Sequence, residues 1–219
     1  MPTSAPNAIG GRPVKRASTR SKRDAIISNA IEIFSRDGYE DSKWADVAKA
    51  VGIGSTALYH YFESKVHCLY VILAEALEHH LEEFERVTKA STSFEQALDD
   101  AFHAGLRLTD HEMARMRILV SEQGLVAVPR KSEREEAARL LARERLRQLE
   151  FAWSTFLVRG MEQHVIPEAD PLMLSRALLG LNTSVWHWYR PGGAIPLSQV
   201  EDFIVARQLA MVRVESPSA

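Results

Sequence analysis

Apolar positions in this chain recur every three to four residues almost from end to end, the period of helices with one face turned inward. Ile26, Ala30, Ile33 and Phe34 open the series in a helix expected from Thr19, and Gly38 closes it. Ala45, Val47, Ala48 and Val51 share one face of a second, short helix, and Leu58, Tyr61 and Phe62 lie at helical spacing on a third. Between these two, Gly52-Ile53-Gly54 forms a tight corner that can take positive φ, with Ile53 as an apolar plug. A long helix starts near Ser64 and Lys65. Its stripe is Val66, Leu69, Tyr70, Leu73, Leu77, Leu81 and Phe84, and polar residues from Thr88 to Thr92 end it.

The rest of the chain reads as further helices with their own start signals. Ser93 with Gln96, Ser132 with Glu135 and Ser198 with Glu201 have the spacing of capping boxes, Asp110 is a candidate cap, and Asp170-Pro171 is an N-cap followed by proline at the first helical position. Gly124, Gly160 and Pro191-Gly192-Gly193 are the expected stops. No segment alternates like a strand, so the expected fold is all-α. The expected division is a flexible basic arm over 1–18, a helix-turn-helix domain over 19–63, and a ligand-binding and dimerisation domain over 64–214.

Charge sharpens this division. The net charge is −2, yet residues 1–23 carry six basic side chains and no acid, which leaves −8 for the remainder. A basic end on an acidic body suits a polyanion partner for that end alone. One cysteine, Cys68, excludes an intramolecular disulfide and fits a reducing cytoplasm. No apolar run approaches the roughly 20 residues that span a bilayer, and no secretory signal is expected.

Two helices across so short a corner cross steeply, and the second juts outward with Ser55, Thr56, Tyr59 and His60 away from the core. This is the geometry of a helix-turn-helix reading the major groove of double-stranded DNA. Arg20 and Lys22, at the end of the basic arm, can add backbone or minor-groove contacts. Ala30-Ile31-Glu32-Ile33-Phe34, Gly38-Tyr39, Asp46-Val47-Ala48, Gly52-Ile53 and Leu58-Tyr59-His60-Tyr61-Phe62 with Ser64-Lys65 resemble the TetR family of bacterial transcription regulators over about residues 20–70. The resemblance implies a homodimeric repressor with a three-helix head, a helical ligand domain and a four-helix bundle made by the last two helices of each subunit. It also implies phosphate contacts from Ser42, Lys43, Tyr59, His60 and Lys65, and base contacts from Ser55 and Thr56. Gly54 and Ala57 stand where the family usually has serine or threonine, and Trp44 replaces a small aliphatic, so the operator does not transfer.

In the C-terminal half, Asn182, Trp186 and Tyr189 share a helical face, with Arg190 just beyond. Such a helix can line an apolar pocket while its arginine holds an anion, or its aromatics can fill the dimer bundle. The Asn…Trp…Tyr-Arg-Pro-Gly run is similar to TetR regulators that sense acyl-coenzyme A thioesters, which makes a small apolar or acyl-coenzyme A-type effector the candidate ligand. Phe102, Met116, Leu119, Gln123, Trp153 and Phe156 are further pocket candidates, each also explicable as core.

Gly52-Ile53-Gly54-Ser55-Thr56-Ala57 fits a dinucleotide-binding fingerprint in letters only, because a helical pattern precedes it where that motif needs a strand. His79-His80 and His111-Glu112 lack metal-ligand spacing. No nucleophile elbow is present, and neither a catalytic site, a metal nor a cofactor is expected. The alternative to a ligand-responsive repressor is a DNA-binding architectural or recruitment protein with no small ligand. An enclosed cavity of about 300–1,000 Å³ in the C-terminal half would favour the former.

Overall fold

The structure, a computed structural model, describes residues 14–212. Every regular element among them is helical: α1 Val14–Asp37, α2 Trp44–Val51, α3 Ser55–Tyr61, α4 Lys65–Ala90, α5 Phe94–Ala104, α6 Asp110–Glu122, a 3-10 turn Gln123–Ala127, α7 Glu133–Glu162, α8 Pro171–Trp188 and α9 Leu197–Val212. The all-α expectation holds. α1 begins at Val14 rather than Thr19, because neither glycine nor proline interrupts residues 14–19. Residues 1–13 of the expected arm, Arg12 included, lie outside the described residues.

The head is α1, α2 and α3 closed over Ile26, Ile31, Phe34, Val47, Leu58 and Phe62, all buried. Gly38 (φ +84°) and Gly52 (φ +71°) adopt the left-handed conformation at the two corners. At the second corner the Gly52 and Ile53 amides donate to the Lys49 and Ala48 carbonyls at 3.1 and 3.0 Å, and Ile53 packs onto the head core. This double closure ends α2 and aims α3 outward.

The head core does not stop at residue 63. It runs on through Cys68, Leu69 and Leu73 of α4 and takes in Ile118 of α6 and Ala138 and Ala142 of α7. A second core fills the upper body, with Phe84, Phe94, Phe102, Trp153, Phe156 and Trp186 among its members. α4 packs chiefly along α7, which spans both cores.

Several starts and stops differ from the sequence reading. Thr109, not Asp110, caps α6, in a full capping box with Glu112. Ser93 and Ser132 each accept from the expected backbone amide, of Gln96 and Glu135, but their partners' side chains turn elsewhere. Glu201 makes no box with Ser198; it bonds His103 and Arg107 on the facing segment, and α9 starts over the Pro196 carbonyl instead. Gly124 lies inside the 3-10 turn, and α7 continues two residues past Gly160. Asp170-Pro171 behaves as expected: the Asp170 carboxylate accepts from the Met173 amide at 2.8 Å.

Candidate nucleic-acid interface and sensor core

α3 has one buried residue, Leu58, which pins the helix to the head. Ser55, Thr56, Tyr59 and His60 are exposed, and Tyr59 keeps 51 % of its surface. Lys43, the residue before α2, is exposed, as are Arg20 and Lys22 on α1. These groups present a cationic and hydroxyl-bearing rim around a projecting helix, the set that contacts phosphates and base edges. Gly54 precedes α3 with ordinary extended dihedrals and supplies no side-chain cap.

Two residues expected at this rim turn inward instead. The Lys65 ammonium donates to the carbonyls of Tyr39, Glu40 and Ser42, with 3.2 and 2.8 Å to the latter two, and lies 4.3 Å from the centre of the Tyr39 ring. Burial lowers its pKa. It straps the turn between α1 and α2. Ser42 is buried, and its hydroxyl donates to the Tyr39 carbonyl at 2.7 Å. The turn leaves carbonyls that helix geometry does not satisfy, and Lys65 is the donor within reach. Neither side chain is placed to touch phosphate. Arg23 also turns inward, onto Glu75 at 3.3 Å and over the Phe62 ring.

A latch that the sequence did not reveal joins the α3–α4 corner to the start of α7. Ser64, the cap of α4, accepts from the His67 amide and donates to Glu135. Ser132, the cap of α7, accepts from the Glu135 amide and donates to Glu63. Arg134 reaches the Tyr61 carbonyl at 3.3 Å. The two serines thus cap their own helices while each bonds a carboxylate that belongs to the other's segment. Serine-x-x-glutamate spacing signalled the Ser132 cap, and Ser64 stood only at an expected helix start; the crossed pairing depends on which helices meet.

The expected sensor residues do not share one pocket. Met116, Trp153 and Asn182 line a chamber of about 50 Å³ together with His80, Phe84 and Gly105. That is well below the 300–1,000 Å³ expected of a formed effector cavity, because the Phe84 and Trp153 rings, with centroids 4.5 Å apart, occupy it. The Asn182 Oδ1 is buried without a partner among the described residues, and its amide nitrogen crowds Gly105, where a Cβ would collide with it. His80, which the sequence reading set aside as a metal ligand and did not place in a pocket, contacts the Met116 sulfur at 2.7 Å, and burial pushes its pKa down to about 4. Phe102 is buried against Trp153, Phe156 lines a separate open groove of about 680 Å³ with Phe84, Phe151 and Thr155, and Leu119 is partly buried beside both cores. Gln123 is exposed in the 3-10 turn, on neither wall.

Trp186 and Arg190 open on a different space. With Arg36, Arg117 and Glu122 they line a cleft of about 460 Å³ between the head and the body. Tyr189 is buried, edge-on to Trp186 and Trp188. Trp186 is therefore part of the subunit's own core, while Trp188 is half exposed.

Among the described residues no cluster of acids, histidines and cysteine has the grouping of a metal site, and no helix is long and apolar enough to cross a membrane.

Comparison with known proteins extends the match beyond the head. Residues 26–70 match the family model described as bacterial regulatory proteins, tetR family, and residues 95–212 match the tetracyclin repressor-like C-terminal domain. The chain is 26 % identical over 182 residues to the transcriptional repressor KstR2 of Mycobacterium tuberculosis, covering 82 % of this chain and 87 % of that protein. The KstR2 structure superposes with a TM-score of 0.71 over 95 % of this chain and all of the other, at 23 % identity. PfmR from Thermus thermophilus gives 0.69 at 26 % identity, over 87 % of this chain and 98 % of the other. AibR, solved with isovaleryl coenzyme A and operator DNA, gives 0.70 at 18 % identity over 86 % and 98 %. With the projecting α3 and two matching family models covering head and body, the chain belongs to the TetR family of DNA-binding transcriptional regulators.

Proposed function

We propose that the protein is a homodimeric repressor that binds a palindromic operator through two copies of α3 and leaves it when a small apolar or acyl-coenzyme A-type effector binds the body. The exposed row Ser55, Thr56, Tyr59 and His60 above a single buried Leu58 carries the DNA part of this reading. Tyr59 and His60 meet phosphate with Lys43, Arg20 and Lys22, and Ser55 and Thr56 face base edges. The dimer is supported by a stripe on α8 of exposed Met173, Ala177, Gly180 and Trp188 and by exposed Phe203, Ala206 and Ala210 on α9. Met173 and Phe203 keep 72 and 63 % of their surface in the single chain, an exposure of large apolar groups that pairing would remove.

The effector part rests on the α8 run from Asn182 to Arg190, on the chamber behind it, and on the presence of a coenzyme A ester in the fold relative AibR. An effector acts only by its preference for the released conformation, and a coupling of about 1–3 kcal/mol is typical. A mobility-shift titration of the full-length protein on its own promoter DNA, with and without a series of acyl-coenzyme A thioesters, tests the whole reading. Release by one thioester and not by its free acid supports it. The small volume of the chamber favours the second reading, a DNA-binding architectural or recruitment protein without an effector, and retention of DNA against every thioester and apolar acid would establish that one instead.

A further inference from the structure

The cleft between head and body is built from three parts: the end of α1 with the turn after it, the C-terminal half of α6, and the end of α8 with Arg190 just beyond. We infer that this seam is a binding site for a phosphate-bearing anion, clamped by Arg117 and Arg190. The inference deepens the effector reading and rests on it only for the source of the phosphate.

The guanidinium of Arg190 donates to the Tyr189 carbonyl at 2.9 Å and to the His187 carbonyl at 3.3 Å. Arg117 donates to the same Tyr189 oxygen at 3.4 Å. Two fixed positive charges thus converge on one neutral acceptor. Neither has a carboxylate within ion-pair distance among the described residues, whereas Arg36 at the cleft's edge is held by Asp37 at 2.6 Å. Burial lowers the Arg117 pKa, and the neighbouring Arg190 charge lowers it further. Glu122 is the one carboxylate in the lining among the described residues, and His187 lies on the same wall. The indole of Trp186 forms part of that wall; the residue is 2 % exposed, and its N–H is buried without an acceptor among the described residues.

Paired guanidiniums with most of their donors free, a buried indole donor and room far beyond a monovalent ion are the features that a phosphate ester fits. Its oxygens accept two parallel bonds from a guanidinium, and its charge relieves the repulsion between the pair. A carboxylate of one charge would leave that repulsion half relieved. The location also gives the anion a consequence. The cleft's head wall includes Phe34, Gly38 and Tyr39, and the next residues are the turn that Lys65 straps beside Lys43. A filled seam sets the angle between α1 and α6, and so the placement of the DNA-contacting rim.

Calorimetric titration of the full-length protein at low ionic strength tests this with pyrophosphate, ADP, free coenzyme A and citrate as probes. Arg117→Gln and Arg190→Gln are compared with wild type, and Arg147→Gln, exposed on the far part of α7, serves as control. The expected result is binding of pyrophosphate and coenzyme A that either glutamine variant weakens roughly tenfold or more and the control leaves unchanged. Melting curves at or above the wild-type midpoint are expected for Arg117→Gln, since removing one of two like charges relieves their repulsion. Coenzyme A binding far tighter than ADP would identify the thioester as the source, and equal binding would point to a free nucleotide. Citrate binding as tightly as pyrophosphate, no pyrophosphate binding by wild type, or wild-type affinity for pyrophosphate in both glutamine variants would overturn the site. If a thioester releases DNA from Arg117→Gln as readily as from wild type, the effector reading stands and the seam site falls. If pyrophosphate binds through Arg117 and no thioester releases DNA, the seam site stands alone.

Discussion

Lys65 and Lys43 lie on either side of the same turn and hold their charges in opposite ways. Lys65 is tied to three carbonyls, two of them partly buried, so Lys65→Met is expected to destabilise the head by about 0.5–1.5 kcal/mol, the net worth of such hydrogen bonds. The slope of log binding constant against log salt should stay at the wild-type value for this variant. Lys43→Ala should instead lower that slope by about one unit and weaken all duplexes alike. A slope that changes with Lys65 and not with Lys43 would reverse the two assignments. Thr56→Ala should alter sequence preference while leaving affinity for random duplex near wild type, measured by competition with mutated operators.

His80 adds a pH dependence at the same scale. Burial against Met116 is the largest cause of its depressed pKa, the neighbouring His79 adds to it, and Glu112 and Glu83 oppose it. The unfolded chain, with an ordinary histidine pKa near 6.5, therefore binds a proton that the folded chain refuses between pH 6.5 and about 4. Stability from this group is complete above pH 6.5 and falls with pH through that window. Denaturant midpoints measured from about pH 7.5 to about 4.5 should decline, and the decline should be shallower in His80→Gln. Burial depresses His67 and His111 in the same direction, so the variant should flatten the curve only in part.

At the scale of elements, most helices could be placed from spacing alone, and their caps less well. The apolar period follows from the chain because a helix brings i, i+3 and i+4 onto one side whatever it packs against. Caps compete for partners. Thr109 wins over Asp110 because Glu112 stands three residues after it and completes the box. Glu201 had the right spacing from Ser198, but His103 and Arg107 of the neighbouring segment offer it two cationic or polar donors. The crossed serines at the head–body corner show the same competition. A double-mutant cycle between Ser64→Ala and Glu135→Gln should show a coupling of about 0.5–3 kcal/mol, as expected for groups in one network. Additive effects would mean that the latch does not carry load. If it does, α7 is a second lever beside α4, because its first turn holds the α3–α4 corner and its Trp153 lines the chamber.

For the whole molecule, the proposed dimer sets how its two heads would be spaced. A two-fold dimer through α8 and α9 would present its recognition helices about 34–36 Å apart, one turn of DNA. Met173→Asp combined with Phe203→Asp should convert the protein to a monomer in sedimentation velocity at micromolar concentration and abolish operator binding with little change in helical content. A dimer that survives both aspartates would require a different interface. In the proposed dimer, a change in the angle between each head and its body would be enough to release DNA, since a small rotation at the seam would move α3 out of register with the groove.

The helical class, the corner at Gly52-Ile53-Gly54 and the outward row on α3 were decided by the chain itself. They depend on local periodicity, on backbone conformations open mainly to glycine, and on residues within one turn of each other. The tie of Lys65, the crossed serines, the placement of His80 and the meeting of Arg117 with Arg190 were decided only by the tertiary structure. Each joins segments that are far apart along the chain, and a long side chain takes whichever partner the packing of helices brings within reach. The sensor residues divided for the same reason: one face of α8 borders both the small chamber and the seam, and spacing within a helix does not say which neighbour lies opposite each residue.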